Sequence, residues 1–140
     1  MSARILEGRE FAQAIKDDAK RRAEALAGRS GRAPGLAAMI VGENPASKVY
    51  VRNKGRACEE LGIASETIAL PETASREEIL GKIAILNGDE RIHGILVQLP
   101  LPEALAQYEP EILSSIDPRK DVDGFHPLNA GRLAAGLPAL

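Results

Sequence analysis

Apolar and polar residues alternate in blocks along the chain, and the first blocks predict a helix followed by a buried strand. Between about residues 8 and 26 the apolar side chains recur at the spacing of a helix with one buried stripe, whose members are Phe11, Ala14, Ile15, Ala19, Ala23 and Leu26. The glycine-rich run from Gly28 to Gly35 is predicted to be a surface connection. Residues 36–41, LAAMIV, carry no polar alternation, which is typical of a strand covered on both faces in a parallel sheet.

A second strand and a second amphipathic block come next. The strand is centred on residues 67–70, and the pattern leaves residues 64–66 open as either strand or loop. Thr73 or Ser75 can cap the helix that follows. Ser75 lies three residues before Glu78, as in a capping box, so this pair indicates where an apolar helix begins.

The third apolar run is the one that ends on a polar side chain. The preceding helix is predicted to end at Asn87-Gly88, and residues 95–97 then form a buried strand that is interrupted at Gln98. Pro100 and Pro102 cannot continue a hydrogen-bonded ladder, so the chain must leave the sheet beside Gln98. Ligands of open α/β sheets collect at the carboxyl ends of strands, which makes Gln98 a candidate site residue.

The remaining blocks complete an α/β pattern. A helical stretch from Leu105 to Ile116, broken at Pro110, leads to the charged, turn-rich segment DPRKDVDGFHPLNAGRLAAG, which ends in a short helix. Strands that alternate with helices through short joints predict a three-layer α/β/α fold with a small parallel sheet and right-handed crossovers. At 140 residues the chain has the length of one domain, so we expect residues 1–140 to form a single unit.

Composition narrows the classes of function. The formal charge of -2, an aromatic content of 3% and the absence of Trp argue against binding to nucleic acid or to an anionic membrane. Cys58 is the only cysteine and no clustered His supplies metal-ligand spacing, so neither an internal disulfide nor a metal site is expected. The first twenty residues lack the apolar core of a signal peptide, and no stretch is long enough to span a bilayer. These features indicate a soluble, cytoplasmic protein.

Candidate chemistry is concentrated in residues 41–61, VGENPASKVYVRNKGRACEEL. Asn44 is a candidate N-cap, and Pro45 suits the first position of a helix. Tyr50 and Lys54 lie four residues apart, so both project from one face of that helix. An amine beside a phenol can exchange a proton when partial burial favours the neutral amine, although a helical Lys is more often a solvated charge.

Other polar residues supply partners for this pair. Gln98 at a strand end can orient an amine, although a Gln that caps the strand is the ordinary explanation. Asp121 and Asp123 lie in a loop with Lys120, where turn formation and solvent exposure are the usual roles. Taken together, an amine, an amide, a phenol and a carboxylate could bind and protonate a flat polar heterocycle, because an ionised Asp accepts two donors side by side.

Nucleotide-binding motifs are not found in the sequence. Gly42 ends a strand, but the glycine series of the dinucleotide fingerprint does not follow it. Tyr50-x-x-x-Lys54 is similar to the pair of the short-chain dehydrogenases, which require a glycine-rich turn earlier in the chain. That turn is lacking, and the short-chain dehydrogenase hypothesis is rejected.

Three long segments, in the same order, resemble the bifunctional methylenetetrahydrofolate dehydrogenase/methenyltetrahydrofolate cyclohydrolase family. They are VGENPASKVYVRNKGRACEELGI, GILVQLPLP and DPRKDVDGFHPLNAGRL, and the similarity runs from about Ile5 to Leu133. The resemblance implies a parallel α/β domain that, with a following Rossmann domain, lines a cleft for folate and NADP. It also implies oxidation of 5,10-methylenetetrahydrofolate by NADP and hydrolysis of the methenyl product to 10-formyltetrahydrofolate.

The resemblance assigns roles to the motif residues. Lys54 would be the catalytic acid/base, Gln98 would hold and tune its amine, and Tyr50 would pack against the folate ring. Asp123 would pair with the amino edge of the ring, a task that Asp121 could share or take. The remaining substrate contacts would come from backbone groups at the strand end and from the serine of a Ser-x-x-Tyr-x-x-x-Lys pattern: Val97, Leu99 and Ser47.

One departure from the family is large. The sequence stops at Leu140, where the family enters its nucleotide-binding domain, so we expect an isolated catalytic domain of a bifunctional parent. The folate substrate would bind here, NADP would be held by the missing domain with no cofactor for this chain alone, and the parent would be a homodimer. The alternative is a stand-alone pterin-binding or interaction module without turnover.

Overall fold

The computed structural model describes residues 7–139. The predicted domain limits at residues 1 and 140 and the start of the family resemblance at Ile5 lie outside this range. Helices and strands alternate through it: α1 (Gly8–Ser30), β1 (Gly35–Val41), α2 (Pro45–Leu61), β2 (Ala64–Leu70), α3 (Arg76–Gly88), β3 (Gly94–Val97), a 3₁₀ helix (Glu103–Tyr108), α4 (Glu109–Ser114) and α5 (Pro127–Ala134).

The three strands form one parallel sheet in the order β2-β1-β3. The register pairs Ala37 of β1 with Glu66 of β2 and with Ile95 of β3. The central strand therefore has a hydrogen-bonded neighbour on each side and is buried nearly throughout, as its unbroken apolar run predicts. The predicted parallel α/β fold is confirmed.

Helices cover both faces of the sheet, but unequally. The face that carries Ala37, Met39 and Val41 packs under α3 and α4 in a cluster of fourteen buried residues. The opposite face packs under α2 in a cluster of four: Ala38, Ile40, Val51 and Leu96. Successive residues of a strand point to opposite faces, so β1 contributes to both clusters.

The second strand is longer than its centre suggested. Residues 64–66, for which the sequence pattern also allowed a loop, pair with β1 along with the rest of Ala64–Leu70. Most of this strand is exposed, whereas β3 at the other edge of the sheet is buried throughout. The loop alternative is therefore wrong.

The first helix differs from its prediction in two respects. It continues through Gly28 to Ser30, where Gly31 ends it in the left-handed conformation at φ 74°, so the predicted connection from Gly28 to Gly35 shrinks to four residues. The predicted buried stripe is also largely wrong, since Phe11 is 61% and Ile15 70% exposed. The reason is that α1 packs on α2, outside the three layers, where no sheet is available to cover its full length.

Close packing at the amino end of the sheet depends on a glycine. A Cβ atom at Gly35 would lie 2.0 Å from the backbone oxygen of Arg91, which cannot move without displacing the start of β3. The predicted broken helix after β3 is confirmed, as a 3₁₀ turn that passes into α4 with Pro110 in its first turn. In residues 7–139 no helix combines the length and apolar character that crossing a membrane requires.

Candidate active site

The turn between β1 and α2 places the candidate helix at the carboxyl end of the sheet. Gly42 takes a positive φ of 81°, which lets the chain turn sharply after β1. The Asn44 side chain accepts hydrogen bonds from the backbone N–H groups of Ala46 at 3.0 Å and Ser47 at 3.1 Å, and Pro45 occupies the first turn. The predicted N-cap is confirmed, and it fixes the direction in which α2 leaves the sheet.

Lys54 and Gln98 meet across 44 positions of sequence. The Lys54 Nζ donates to Gln98 Oε1 at 3.4 Å, and both side chains are half-buried. The Gln98 Nε2 donates to the carbonyl of Leu99 at 2.9 Å, while the Gln98 backbone N–H donates to Met39 at 2.8 Å. Because its nitrogen is occupied by Leu99, the amide presents its oxygen to the lysine. Backbone bonds thus hold the acceptor that orients the amine.

Tyr50 and Ser47 lie three positions apart on α2 and differ in exposure. Tyr50 is 61% exposed and lies one turn before Lys54, so its ring faces solvent beside the amine. Ser47 is only 2% exposed, and its hydroxyl has no hydrogen-bond partner within residues 7–139. Val97, at the end of β3, is a buried residue.

Asp121 is a buried carboxylate whose hydrogen-bonding capacity is used inside the chain. It is 2% exposed. One carboxylate oxygen accepts from the N–H of Gly124 at 3.0 Å, and the other accepts from the N–H of His126 at 2.9 Å and from Asn129 Nδ2 at 3.0 Å. Three donors leave little capacity for an external ligand.

Asp123 has the opposite environment. Its side chain is exposed, and within residues 7–139 no hydrogen bond to its carboxylate is formed. Asp121 forms a parallel bridge with Ile95, so the chain here runs alongside β3 toward the end of the strand that carries Gln98. Asp123 lies two residues after this bridge, within the bend that covers residues 122–124. Of the two aspartates that the sequence left open, only Asp123 has a carboxylate without a hydrogen-bond partner in residues 7–139.

Two residues that hold this loop were missed by sequence reasoning. The predicted solvated Lys120 instead donates through Nζ to three backbone carbonyls at 2.8 to 2.9 Å, those of Leu86, Asn87 and Asp89. Asn129 donates to the carbonyl of Pro118 at 2.8 Å as well as to Asp121. The carbonyls that Lys120 contacts lie more than thirty positions away in the sequence, so no local pattern signals its role.

The clearest pKa shifts lie away from the candidate site. Hydrogen bonds from Arg119 lower the pKa of Asp117 to about 2, and Arg91 lowers that of Asp89 to about 2. Asp89 precedes β3, and Asp117 precedes the bridge at its first residues, so both lie toward the amino end of the sheet. Burial raises the pKa of the Cys58 thiol, in keeping with its predicted role as a small buried hydrophobe.

The described residues do not fit NADP or a metal ion. The turn after β1 contains one glycine, Gly42, where the dinucleotide fingerprint places three around a helix N-terminus. Within residues 7–139 no three His, Cys, Asp or Glu side chains group as metal ligands.

Comparison with known proteins identifies relatives along nearly the whole chain. The model of the tetrahydrofolate dehydrogenase/cyclohydrolase catalytic domain matches residues 6–123. The bifunctional protein FolD of Oleidesulfovibrio alaskensis is 50% identical over 134 residues, which cover 96% of this chain and 46% of that protein. The chain thus spans about half the length of the curated relatives it matches.

Solved structures also match this chain over nearly its whole length. The bifunctional FolD methylenetetrahydrofolate dehydrogenase/cyclohydrolase of Campylobacter jejuni superposes with a TM-score of 0.91 at 44% identity, covering 97% of this chain and 47% of that one. The FolD enzyme of Trypanosoma brucei, solved in complex with NADP cofactor and inhibitor, superposes with a TM-score of 0.87 at 36% identity. It covers 95% of this chain and 45% of that one.

Proposed function

Because the chain belongs to the tetrahydrofolate dehydrogenase/cyclohydrolase family, we propose that it supplies the folate site and the acid/base lysine of a bifunctional enzyme. The proposed reactions are the NADP-dependent oxidation of 5,10-methylenetetrahydrofolate to 5,10-methenyltetrahydrofolate and the hydrolysis of that product to 10-formyltetrahydrofolate. The described residues do not fit NADP, so only the folate-binding and proton-transfer parts of this activity are assigned to them.

The observation that carries the proposal is the contact between Lys54 and Gln98. A proton-transfer group must be held in one orientation near the substrate, and the amide of Gln98, fixed by its bond to Leu99, provides that restraint. The half-buried position of Lys54 gives its amine a drier environment than a surface lysine has. This supports Lys54 as the acid/base and Gln98 as the residue that positions it.

Such an amine can catalyse hydrolysis of the methenyl group as a general base and then as a general acid. Water adds to the methenyl carbon and releases one proton; opening of the bond between that carbon and N5 then moves a proton from the new hydroxyl to N5. In its neutral form Lys54 accepts the proton of the attacking water, and as the ammonium it can return a proton to N5. One proton per turnover is released to solvent, which balances the reaction.

The other predicted residues form the surroundings of the ring. Tyr50, exposed beside Lys54, offers a flat face for stacking against the pterin. Asp123 offers a carboxylate for the amino edge of the ring, and its lack of hydrogen-bond partners among residues 7–139 favours it over Asp121 for this contact. Backbone groups of Val97 and Leu99 flank the ring, and the buried Ser47 lies in the first turn of α2.

The test compares the chain with two lysine variants. We expect the 140-residue chain to accelerate hydrolysis of 5,10-methenyltetrahydrofolate over buffer, and Lys54→Met to reduce that rate by roughly a hundredfold to ten-thousandfold, the range of general acid/base catalysis. Lys82→Met serves as the matched control, because Lys82 is an exposed lysine on α3. Its rate should equal that of the unchanged chain.

The same assay separates the alternative function. If a folate analogue binds the chain but no hydrolysis is detected, the chain acts as a pterin-binding module, which the open side of the site at Tyr50 would favour. If neither binding nor hydrolysis is observed, the folate proposal is wrong. Hydrolysis that is unchanged in Lys54→Met would remove the lysine from the mechanism while leaving the folate site in place.

A further inference from the structure

Two aspartates only two residues apart have contrasting environments. Asp121 is 2% exposed and accepts three hydrogen bonds, whereas Asp123 is exposed and accepts none from residues 7–139. The donors to Asp121 come from residues on the far side of Asp123: Gly124, His126 and Asn129. The buried carboxylate therefore ties together the chain on both sides of the exposed one.

Contacts with β3 also hold the part of this loop that precedes Asp123. The N–H of Ile95 donates to the carbonyl of Lys120 at 2.7 Å, and Asp121 itself forms a parallel bridge with Ile95. Val122 packs against Gly94: a Cβ atom added at Gly94 would lie 2.6 Å from Cγ1 of Val122. The loop is thus fixed to β3 immediately before Asp123.

From this arrangement we propose that Asp121 is a positioning residue, whose buried carboxylate fixes where Asp123 presents its own carboxylate to a ligand. This inference rests on the proposed function, since it concerns the contact between Asp123 and the amino edge of the pterin. It assigns Asp121 no contact with substrate. The motif resemblance assigns the ring contact to Asp123 and lets Asp121 share or take it, whereas this proposal gives the two aspartates separate tasks.

Two acceptor oxygens are needed at Asp121 because all three of its partners are donors and they use both oxygens. In Asp121→Asn one acceptor oxygen becomes an NH₂ group, which faces N–H donors and cannot satisfy them. At least one of the bonds to Gly124, His126 or Asn129 must then be lost. A carboxylate that pairs with two donors side by side is sensitive to small displacements, so a shift of Asp123 weakens recognition of the ring's amino edge.

The test measures ligand preference in the 140-residue chain. Dissociation constants are measured for 5-formyltetrahydrofolate and for its analogue without the 2-amino group. We expect the unchanged chain to prefer the amino-bearing ligand by about tenfold or more, as for hydrogen bonds to a charged group. Asp123→Ala should reduce the ratio to about one, and Asp121→Asn should reduce it nearly as far. Asp117→Asn is the matched control from the same loop and should keep the full ratio.

An NMR readout distinguishes positioning from general damage. The amide proton of His126, which is hydrogen-bonded to the Asp121 carboxylate and is not adjacent to residue 123, should move upfield in Asp121→Asn but not in Asp123→Ala. If Asp121→Asn does not fold, Asn129→Ala removes one donor and leaves both backbone bonds to Asp121 intact. Its ratio should fall to an intermediate value.

The outcomes separate this inference from the proposed function. A chain that binds neither ligand contradicts the folate site itself. A chain that binds both equally retains a folate site but contradicts the role of Asp123, and with it the role of Asp121. Full preference in folded Asp121→Asn, or in Asn129→Ala where the first variant does not fold, contradicts positioning by Asp121 alone.

Discussion

The two faces of the sheet differ in how much they bury and in what they carry. The face under α3 and α4 holds fourteen buried residues, including Ile79, Ile83 and Ile112 at 0% exposure. The face under α2 holds four, yet α2 is the element that presents Tyr50 and Lys54. Burial of apolar surface dominates stability, so most of the folding free energy comes from the first face and the candidate chemistry from the second.

Of the substitutions that distinguish the two faces, Ile83→Ala is expected to change the free energy of unfolding most. Ile83→Ala should lower the free energy of unfolding by about 2–5 kcal/mol, because it leaves a cavity in the larger cluster. Denaturant unfolding measures this loss. Ile85→Ala on the same helix, at a side chain that is 67% exposed, should change stability by less than about 0.5 kcal/mol.

Folate binding extends the comparison at Ile83. Per folded molecule, the affinity of Ile83→Ala for a folate analogue should equal that of the unchanged chain, since α3 and α4 cover the opposite face. A weakened affinity in the folded fraction would show that the two faces are coupled.

A smaller effect is expected at Val51, under α2. Val51→Ala should lower the free energy of unfolding by about 1–3 kcal/mol, because fewer methyl groups are lost from a smaller cluster. It should also weaken folate binding, since Val51 seats the helix turn that carries Lys54. Val49→Ala, at a residue that is 44% exposed on the same helix, is the control for both measurements. Unchanged binding in Val51→Ala would mean that α2 is positioned by its cap alone.

The smallest change in stability is expected when the pH is lowered. Folding lowers the pKa of Asp117 from 3.8 to about 2, so its ionised form stabilises the protein above pH 3.8 and this contribution is lost as the pH falls toward 2. Asp89 behaves in the same way through Arg91. Asp117→Asn should flatten the decline in stability between these pH values, measured by urea unfolding. The gain is small because Arg119 is 87% exposed and solvent screens the pair.

Much of the fold could be predicted because burial left a direct pattern in the sequence. The apolar runs of β1 and β3 and the capping box at Ser75 and Glu78 are found where expected. The pattern failed where a neighbouring element decides the outcome. An apolar stripe at Phe11 and Ile15 predicts that a helix has one such face, but it does not say whether another element is there to cover it.

The candidate site could also be predicted only in part. The meeting of Lys54 with Gln98 follows from a helix that begins at one strand end and a polar residue at the next. The separate environments of Asp121 and Asp123 could not be predicted. They depend on Asn129 and on backbone donors brought back by the turn at Gly124, which takes a positive φ of 73°.

Lys120 connects the loop that carries Asp121 and Asp123 to α3, on the face of the sheet opposite α2. All three protons of its ammonium are directed at carbonyls of the last turn of α3 and the residues after it, so the group is saturated. The loop cannot detach without leaving those carbonyls unpaired, and the end of α3 cannot unwind without releasing the loop. The end of α3 and the loop around Lys120 therefore open as one cooperative unit.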